Sequence, residues 1–207
     1  MTRTILALAA VWALTANAAE PTPAARSFIF NDPNHRDTVM FVLDAPLEVI
    51  NGLSNDIHGR VDIQGTKVSG KFQVPVRSLK TGNDTRDGHL QNDRWLDAQK
   101  YPDIVFEFKD VVLPAAPEVG KPLKVKAKGQ FTVHGVTREE PVEVTATFFQ
   151  ETAETRNRAA GELLRVRAKF QIPLEAYGVK RTEALVLKVG ETAEVSIDAW
   201  GSTQFKL

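Results

Sequence analysis

Four polar side chains in one short stretch define the chemistry open to this chain. Asn83, Arg86, Asp87 and His89 fall within Thr81–Pro102, TGNDTRDGHLQNDRWLDAQKYP. An amide, a guanidinium, a carboxylate and an imidazole so closely spaced offer donors and acceptors to a hydroxyl, a carbonyl or a phosphate. Arg86 suits two-point recognition of an anion. A structural reading stands beside this one: Arg86 and Asp87 in ion pairs that pin the loop, and His89 satisfying a backbone carbonyl. Other chemistry finds little material. The histidines His35, His58, His89 and His134 form no HxH or HExxH pair, so no metal site is expected. There is no GxSxG, P-loop or GxGxxG pattern. The carboxylate pairs Glu139/Glu140 and Asp93/Asp97 fall in loop or helix-end settings, where acids are normally solvated, so a glycosidase pair is not expected. No catalytic residue and no cofactor is therefore expected.

The elements around this stretch must position it. Asn83 and Asp84 are candidate caps for a short helical turn. Tyr101-Pro102 ends the excursion, because the residue before proline is driven into extended backbone. On either side lie runs of alternating hydrophobicity. Upstream, Val68, Gly70, Phe72, Val74 and Val76 share a face; downstream, Ile104, Phe106 and Phe108 oppose Glu107 and Lys109. Four more runs follow: Leu123–Val133, Val142–Phe148, Leu164–Ile172 and Val195–Ala199. Shorter candidates precede them at Ser27–Phe30, Asp37–Asp44, Leu47–Ile50 and His58–Ile63, punctuated by Gly52 and by Ser54-Asn55-Asp56. DTVMFVLD (37–44) is apolar enough to be a strand buried on both faces, or a strand followed by a turn at Ala45-Pro46.

Period-2 alternation is the mark of antiparallel strands with one dry and one wet face. About eight such strands must close into a barrel or stack as two sheets to bury the dry face. The expected fold is all-β: a single antiparallel barrel of about eight strands with a short helical insert. His134-Gly135 reads as a hairpin turn. Gln150–Gly161 reads as a polar hairpin loop, and Tyr177–Gly190 as a segment lying across one end. The dry face mixes small residues (Gly70, Ala127, Gly129, Ala146, Ala168) with phenylalanines. That mixture fits a close-packed interior or an open apolar slot, and the alternation is the same for both.

The whole chain has 207 residues, 43% hydrophobic and 25% charged, with 26 basic and 26 acidic side chains. The balance argues against a nucleic-acid partner. The lack of cysteine excludes disulfides, thiolate metal sites and a lipidated cysteine. The first residues read as an export signal: Arg3, the apolar run Ile5–Leu14, and Ala16-Asn17-Ala18 as a cleavage site before Ala19. The run is too short to span a bilayer, and no other window approaches the roughly 20 apolar residues a spanning helix needs. The expected division is a signal peptide over 1–18, a proline-bearing tether over 19–26 and one domain over 27–207, periplasmic after export.

Two segments carry a family resemblance. Thr81-Gly82-Asn83, Arg86-Asp87, His89-Leu90 and Tyr101-Pro102 form the first; Gly129–Thr137, GQFTVHGVT, forms the second. Together they resemble the signatures of the YceI-like family, and the likeness runs from about Phe28 to Phe205. Where members carry an early His-x-Gly, this chain has Ala45–Gly52 without the histidine. The resemblance implies a lipocalin-like barrel holding an isoprenoid lipid or similar amphiphile, of polyisoprenoid or quinone type, in an apolar tunnel. On this chain it puts Phe72, Val74, Phe106, Phe108, Val125, Phe131, Val144, Phe148, Val166, Phe170 and Ile197 against the lipid tail. Asn83, Arg86, Asp87 and His89 would meet the head group. A homodimer is compatible with this. The alternative expectation is a non-catalytic structural or interaction barrel with a filled core.

Overall fold

In the computed structural model, residues 25–207 are described. The expected signal peptide and the first part of the tether lie outside them. Ten strands run in chain order: β1 Arg26–Phe30, β2 Thr38–Ala45, β3 Glu48–Ser54, β4 His58–Gln64, β5 Lys67–Pro75, β6 Asp103–Val112, β7 Pro122–Val133, β8 Val136–Phe149, β9 Leu163–Pro173 and β10 Thr192–Ser202. One helix, α1 Asp84–Gln91, lies between β5 and β6.

All pairings between the strands are antiparallel, and the ten strands fill eight positions. β10 pairs on one side with β9; on the other it pairs with β2 over Thr38–Leu43 and then with β1 at Ile29. β1 and β2 thus follow one another along a single edge, as one strand broken at 31–37. β3 and β4 form a second broken strand, interrupted at 55–57, because β3 pairs with β2 and β4 with β1. The Ile29–Ser202 pairing closes the ring. Closure removes most of the free edges that would otherwise recruit other strands, and the outer edge of β3 is left with the single Leu53–Lys80 bridge.

The wall is built as the alternation requires, with two differences. β2 is not buried on both faces: Val39 and Leu43 point inward while Met40 is 46% exposed, because only one side of this wall has a dry neighbour. Gly52 lies within β3 rather than ending it; it stands opposite Phe41, whose ring occupies the space a side chain would need. The same arrangement recurs around the barrel. A methyl group at Gly70 would sit 2.7 Å from the Phe108 ring, and one at Gly129 would sit 2.9 Å from the Phe106 ring. Each ring reaches over the glycine of a neighbouring strand and fills the space a side chain there would need.

The two ends are finished differently. At the end where β5 leaves and β6 returns, two segments cross the opening. The first is the insert holding α1. Asn83 caps that helix, its Oδ1 accepting from the Arg86 N–H at 3.0 Å. The second is the 174–191 strap. It is tied down by the Leu174 N–H to Glu191 O (2.9 Å), the Leu47 N–H to Leu187 O (2.9 Å) and the Arg181 guanidinium to Val189 O (3.0 Å). The opposite end is packed by Phe28, Phe30, Phe148 and Leu163, none more than 3% exposed.

Outside the wall, the loop after β8 folds back over the 31–37 break. Arg158 donates to Asp32 and, at 2.9 Å, to Asp37; Arg36 also donates to Asp32. Asp37 additionally accepts from the Trp200 N–H at 3.1 Å. Burial pushes the Asp37 carboxyl up to about 6, against the pull of Trp200 and Arg158. Burial acts in the same sense on Asp32, but its hydrogen bonds from Arg36 and Arg158 outweigh it and hold that carboxyl well below the usual range.

Candidate binding cavity and its polar vestibule

With phenylalanine rings seated over wall glycines, space remains inside the barrel. A cavity of about 230 Å³ runs inside it. Its lining extends from Leu113, Pro117 and Lys121, beside the β6–β7 connection, to Leu90, Trp95 and Leu174 under the two crossing segments. Among the described residues, only Gln73 and Lys121, apart from the Trp95 indole, bring a polar side chain to it. An apolar space of this kind has nothing to hold water and offers its surface to hydrocarbon. All eleven residues placed on the tail by the sequence reading face it: Phe72, Val74, Phe106, Phe108, Val125, Phe131, Val144, Phe148, Val166, Phe170 and Ile197.

A second space of about 300 Å³ lies beside it under the insert. The two share Phe41, Leu43, Leu90 and Trp95. The second space is polar on its outer side, where Thr81, Asn83, Thr85, Arg86, His89, Glu48 and Lys188 line it. Three of the four candidate head-group residues therefore meet in one vestibule. Asn83 reaches it with its carbonyl oxygen already used as the helix cap. Arg86 pairs with Glu48 at 3.1 Å, both side chains partly exposed, so the pair is open to competition from an incoming anion.

Asp87 is not brought to the vestibule. It is 4% exposed and turned beneath the loop, where its Oδ1 accepts from the Thr81 hydroxyl (2.7 Å) and the Thr81 N–H (2.8 Å). Burial raises its pKa, but Thr81 and Lys80 outweigh that effect and keep the carboxyl below its ordinary value. Its partners make it the pin of the insert. The ion pairs expected to pin the loop do form, though with other partners: Arg86 with Glu48, and Asp87 with Lys80 at 3.6 Å.

Several lining residues were not visible as such in the sequence. Leu90, Trp95 and Leu96 come from a segment that reads as polar, yet they are its only leucines and its only tryptophan. That isolation was the available signal. Phe41 and Leu43 were hidden by the uniformly apolar DTVMFVLD.

The two motif segments touch. The Tyr101 ring rests on Gly135, where a side chain would collide with it, and meets the His134 ring edge-on at 5.2 Å. His134 and Gly135 have φ of 49° and 73°, the paired positive values of a two-residue type I′ hairpin turn. Nδ1 of His134 lies 3.3 Å from the Tyr177 carbonyl oxygen, which joins the strap to the same point. Tyr101, His134, Gly135 and Tyr177 thus form one joint fixing both crossing segments to the β7–β8 turn. His134 is structural.

Comparison with known proteins agrees with this architecture. Among solved structures, the chain resembles a polyisoprenoid binding domain from Saccharophagus degradans implicated in plant cell wall breakdown (TM-score 0.64, 14% identity, 86% of this chain and 99% of that one). It also resembles BcnA of Burkholderia cenocepacia (TM-score 0.61, 17% identity, 80% and 96%). The YCEI protein of Campylobacter jejuni is a third (TM-score 0.58, 20% identity, 73% and 83%). At these identities the likeness is one of fold. A UPF0312 protein of Pseudomonas fluorescens is 34% identical over 105 residues, 49% of this chain and about half (52%) of that relative's length. The model of the YceI-like domain matches residues 31–200, across both motif segments and nearly the whole barrel, and the chain belongs to that family.

Proposed function

We propose that this protein is an exported carrier that holds an isoprenoid-type lipid in its barrel, with the tail in the apolar cavity and the polar end in the vestibule. One observation carries the proposal: an apolar cavity running along the barrel lies against a second space that shares Phe41, Leu43, Leu90 and Trp95 with it and carries polar side chains on its outer side. That is the shape of an amphiphile. Each methylene moved from water into such a cavity contributes roughly 0.8 kcal/mol, so a chain of several isoprene units has ample reason to enter. A structural neighbour described as a polyisoprenoid binding domain supports the same class of ligand. The head group meets Arg86, His89 and the Asn83 amide. Asp87 contributes by holding the insert. The role is binding, with no chemical step on the lipid. The apolar run Ile5–Leu14 and the Ala16-Asn17-Ala18 site support export, leaving a tether and one barrel in the periplasm.

The test is native mass spectrometry of the protein recovered from the periplasm, followed by extraction of any bound species. A mass of several isoprene units is expected. Ala146→Phe, which places a ring in the cavity, should sharply reduce uptake while leaving the fold intact. A clean apo mass, unchanged after incubation with polyprenols and quinones, would overturn the carrier and favour the filled-core barrel.

A further inference from the structure

The cavity has a second end. Leu113, Pro117 and Lys121 of the β6–β7 connection, residues 113–121, belong to its lining. The Lys121 side chain is 71% exposed and pairs with Glu118 at 2.5 Å on the surface. A residue that both lines the cavity and stands in solvent puts the interior within one side chain of the outside. Exposed Val112 and Val119 flank the same place. The connection is anchored near its two ends, by the Leu113 N–H to Thr66 O (2.8 Å) and the Gly120 N–H to Phe148 O (2.7 Å).

The wall is loosely joined at the same point. β6 and β7 pair in register over Val105–Glu107 and Gln130–Thr132. From there toward the connection, β6 stays in register with β5 as far as Val112, and β7 with β8 as far as Pro122. A bulge in β6 accompanies the change. Lys109 and Asp110 stand opposite the single residue Ser69, with Asp110 at a left-handed φ of 52° and its N–H donating to Ser69 Oγ at 3.1 Å. A bulge bends its strand and disrupts regular pairing. Phe108, Val111 and Leu113 on one side of this seam, and Leu123 and Val125 on the other, all line the cavity.

The lining decides what can pass. Leu113, Pro117, Leu123 and Val125 are apolar, and the Lys121 ammonium is paired with Glu118. The occupant must be apolar and slender, and it must reach the seam from inside. The far end of a lipid tail meets these terms. β7 has 12 residues. At about 3.3 Å per residue and a tilt of about 40°, the barrel is roughly 30 Å tall. A longer tail must coil inside or leave. We propose that the β6–β7 seam and its connection form an exit for the end of the tail, so that the barrel accepts linear isoprenoids longer than itself. This rests on the carrier reading and adds the chain length that the carrier takes.

The experiment loads the exported protein and its Pro117→Trp variant with geranylgeraniol, shorter than the barrel, or undecaprenol, longer than it. Each alcohol carries a trifluoromethyl group at its tail end. Native mass spectrometry reads the ratio of long to short chain taken up. Fluorine NMR with a soluble gadolinium chelate reads whether the tail end meets water. The parent should take up both alcohols, and the chelate should broaden the undecaprenol signal several-fold more than that of geranylgeraniol. Pro117→Trp puts an indole in the exit, on a connection outside the strands, and should lower the long-to-short ratio at least tenfold. A parent that holds geranylgeraniol and refuses undecaprenol would overturn the exit and leave the carrier standing. Equal broadening of the two signals would also overturn it, as would a ratio unchanged by Pro117→Trp. If neither alcohol enters, the carrier reading fails and the exit with it.

Discussion

The two ends of the barrel are built from different materials. At the end near Phe28 and Phe148, buried rings pack beside the β6–β7 connection, where Leu113, Pro117 and Lys121 line the cavity, and the neighbouring strand break is covered by an ionic cluster with two carboxylates almost out of water. The vestibule end is crossed by short segments held by single backbone hydrogen bonds, partly exposed ion pairs and one aromatic joint. The comparison separates two tasks. The packed end stabilises the ring; at the crossed end a second space, polar on its outer side, lies against the cavity. Substitutions at the first should change stability, and those at the second should change what is bound.

The largest effect is expected from Phe30→Ala. That ring is fully buried and fills the space beside Gly201, so its loss should cost about 3–5 kcal/mol in chemical denaturation. A smaller loss would mean that this end is less tightly packed than its burial implies. Arg158→Ala removes a shared partner of Asp32 and Asp37 and should cost about 2 kcal/mol, less than a fully buried pair because the arginine is 20% exposed. Lipid retention should be unchanged in whatever fraction stays folded.

The third prediction concerns acidity. The Asp37 carboxyl titrates near about 6 in the folded protein against 3.8 for an unperturbed side chain, so the folded state takes up its proton first. Its buried charge weakens the fold above that value, and the penalty is relieved as pH falls from about 6 toward 3.8. Stability from this group should therefore rise by about 1 kcal/mol between pH 7.5 and 5, a few degrees in melting temperature. Asp37→Asn should flatten that slope. A parent protein that melts no higher at pH 5 than at pH 7.5 would argue against the assignment. The smallest stability effect belongs to the other end. Arg86→Ala, breaking a partly exposed pair with Glu48, should change stability by less than about 1 kcal/mol while weakening lipid retention. Equal retention would remove Arg86 from the head-group site.

The sequence was most informative where one physical rule acts alone. From β5 onward, each strand has one wet and one dry face, so period-2 alternation named its inward residues. It was least informative where two rules overlap. β2 is apolar on both faces although Met40 is exposed, so its pattern could not say which face is inward. The breaks at 31–37 and 55–57 look like ordinary turns between separate strands; that each interrupts one barrel position depends on pairing with β10 and between the halves. Asp87 reads as a head-group contact or a partner in a loop-pinning ion pair, and its burial depends on Thr81 folding over it. The Asp32–Arg158 contact joins residues 126 apart, and no local pattern encodes it. Nor does alternation say whether an interior is open, since that turns on how the phenylalanine rings lie across the glycines.

The closure of the ring at Ile29 and Ser202 has a consequence in time. β10 is the last strand to be synthesised, and it pairs with β1, β2 and β9. Until it emerges, the earlier strands form at most an open sheet, with β2 and β9 each missing a neighbour. Ring closure therefore brings together chain segments 173 residues apart (202 minus 29), and contacts of such long range form slowly. The order of synthesis and the order of completion run against each other, so the ring stays open until β10 has been made.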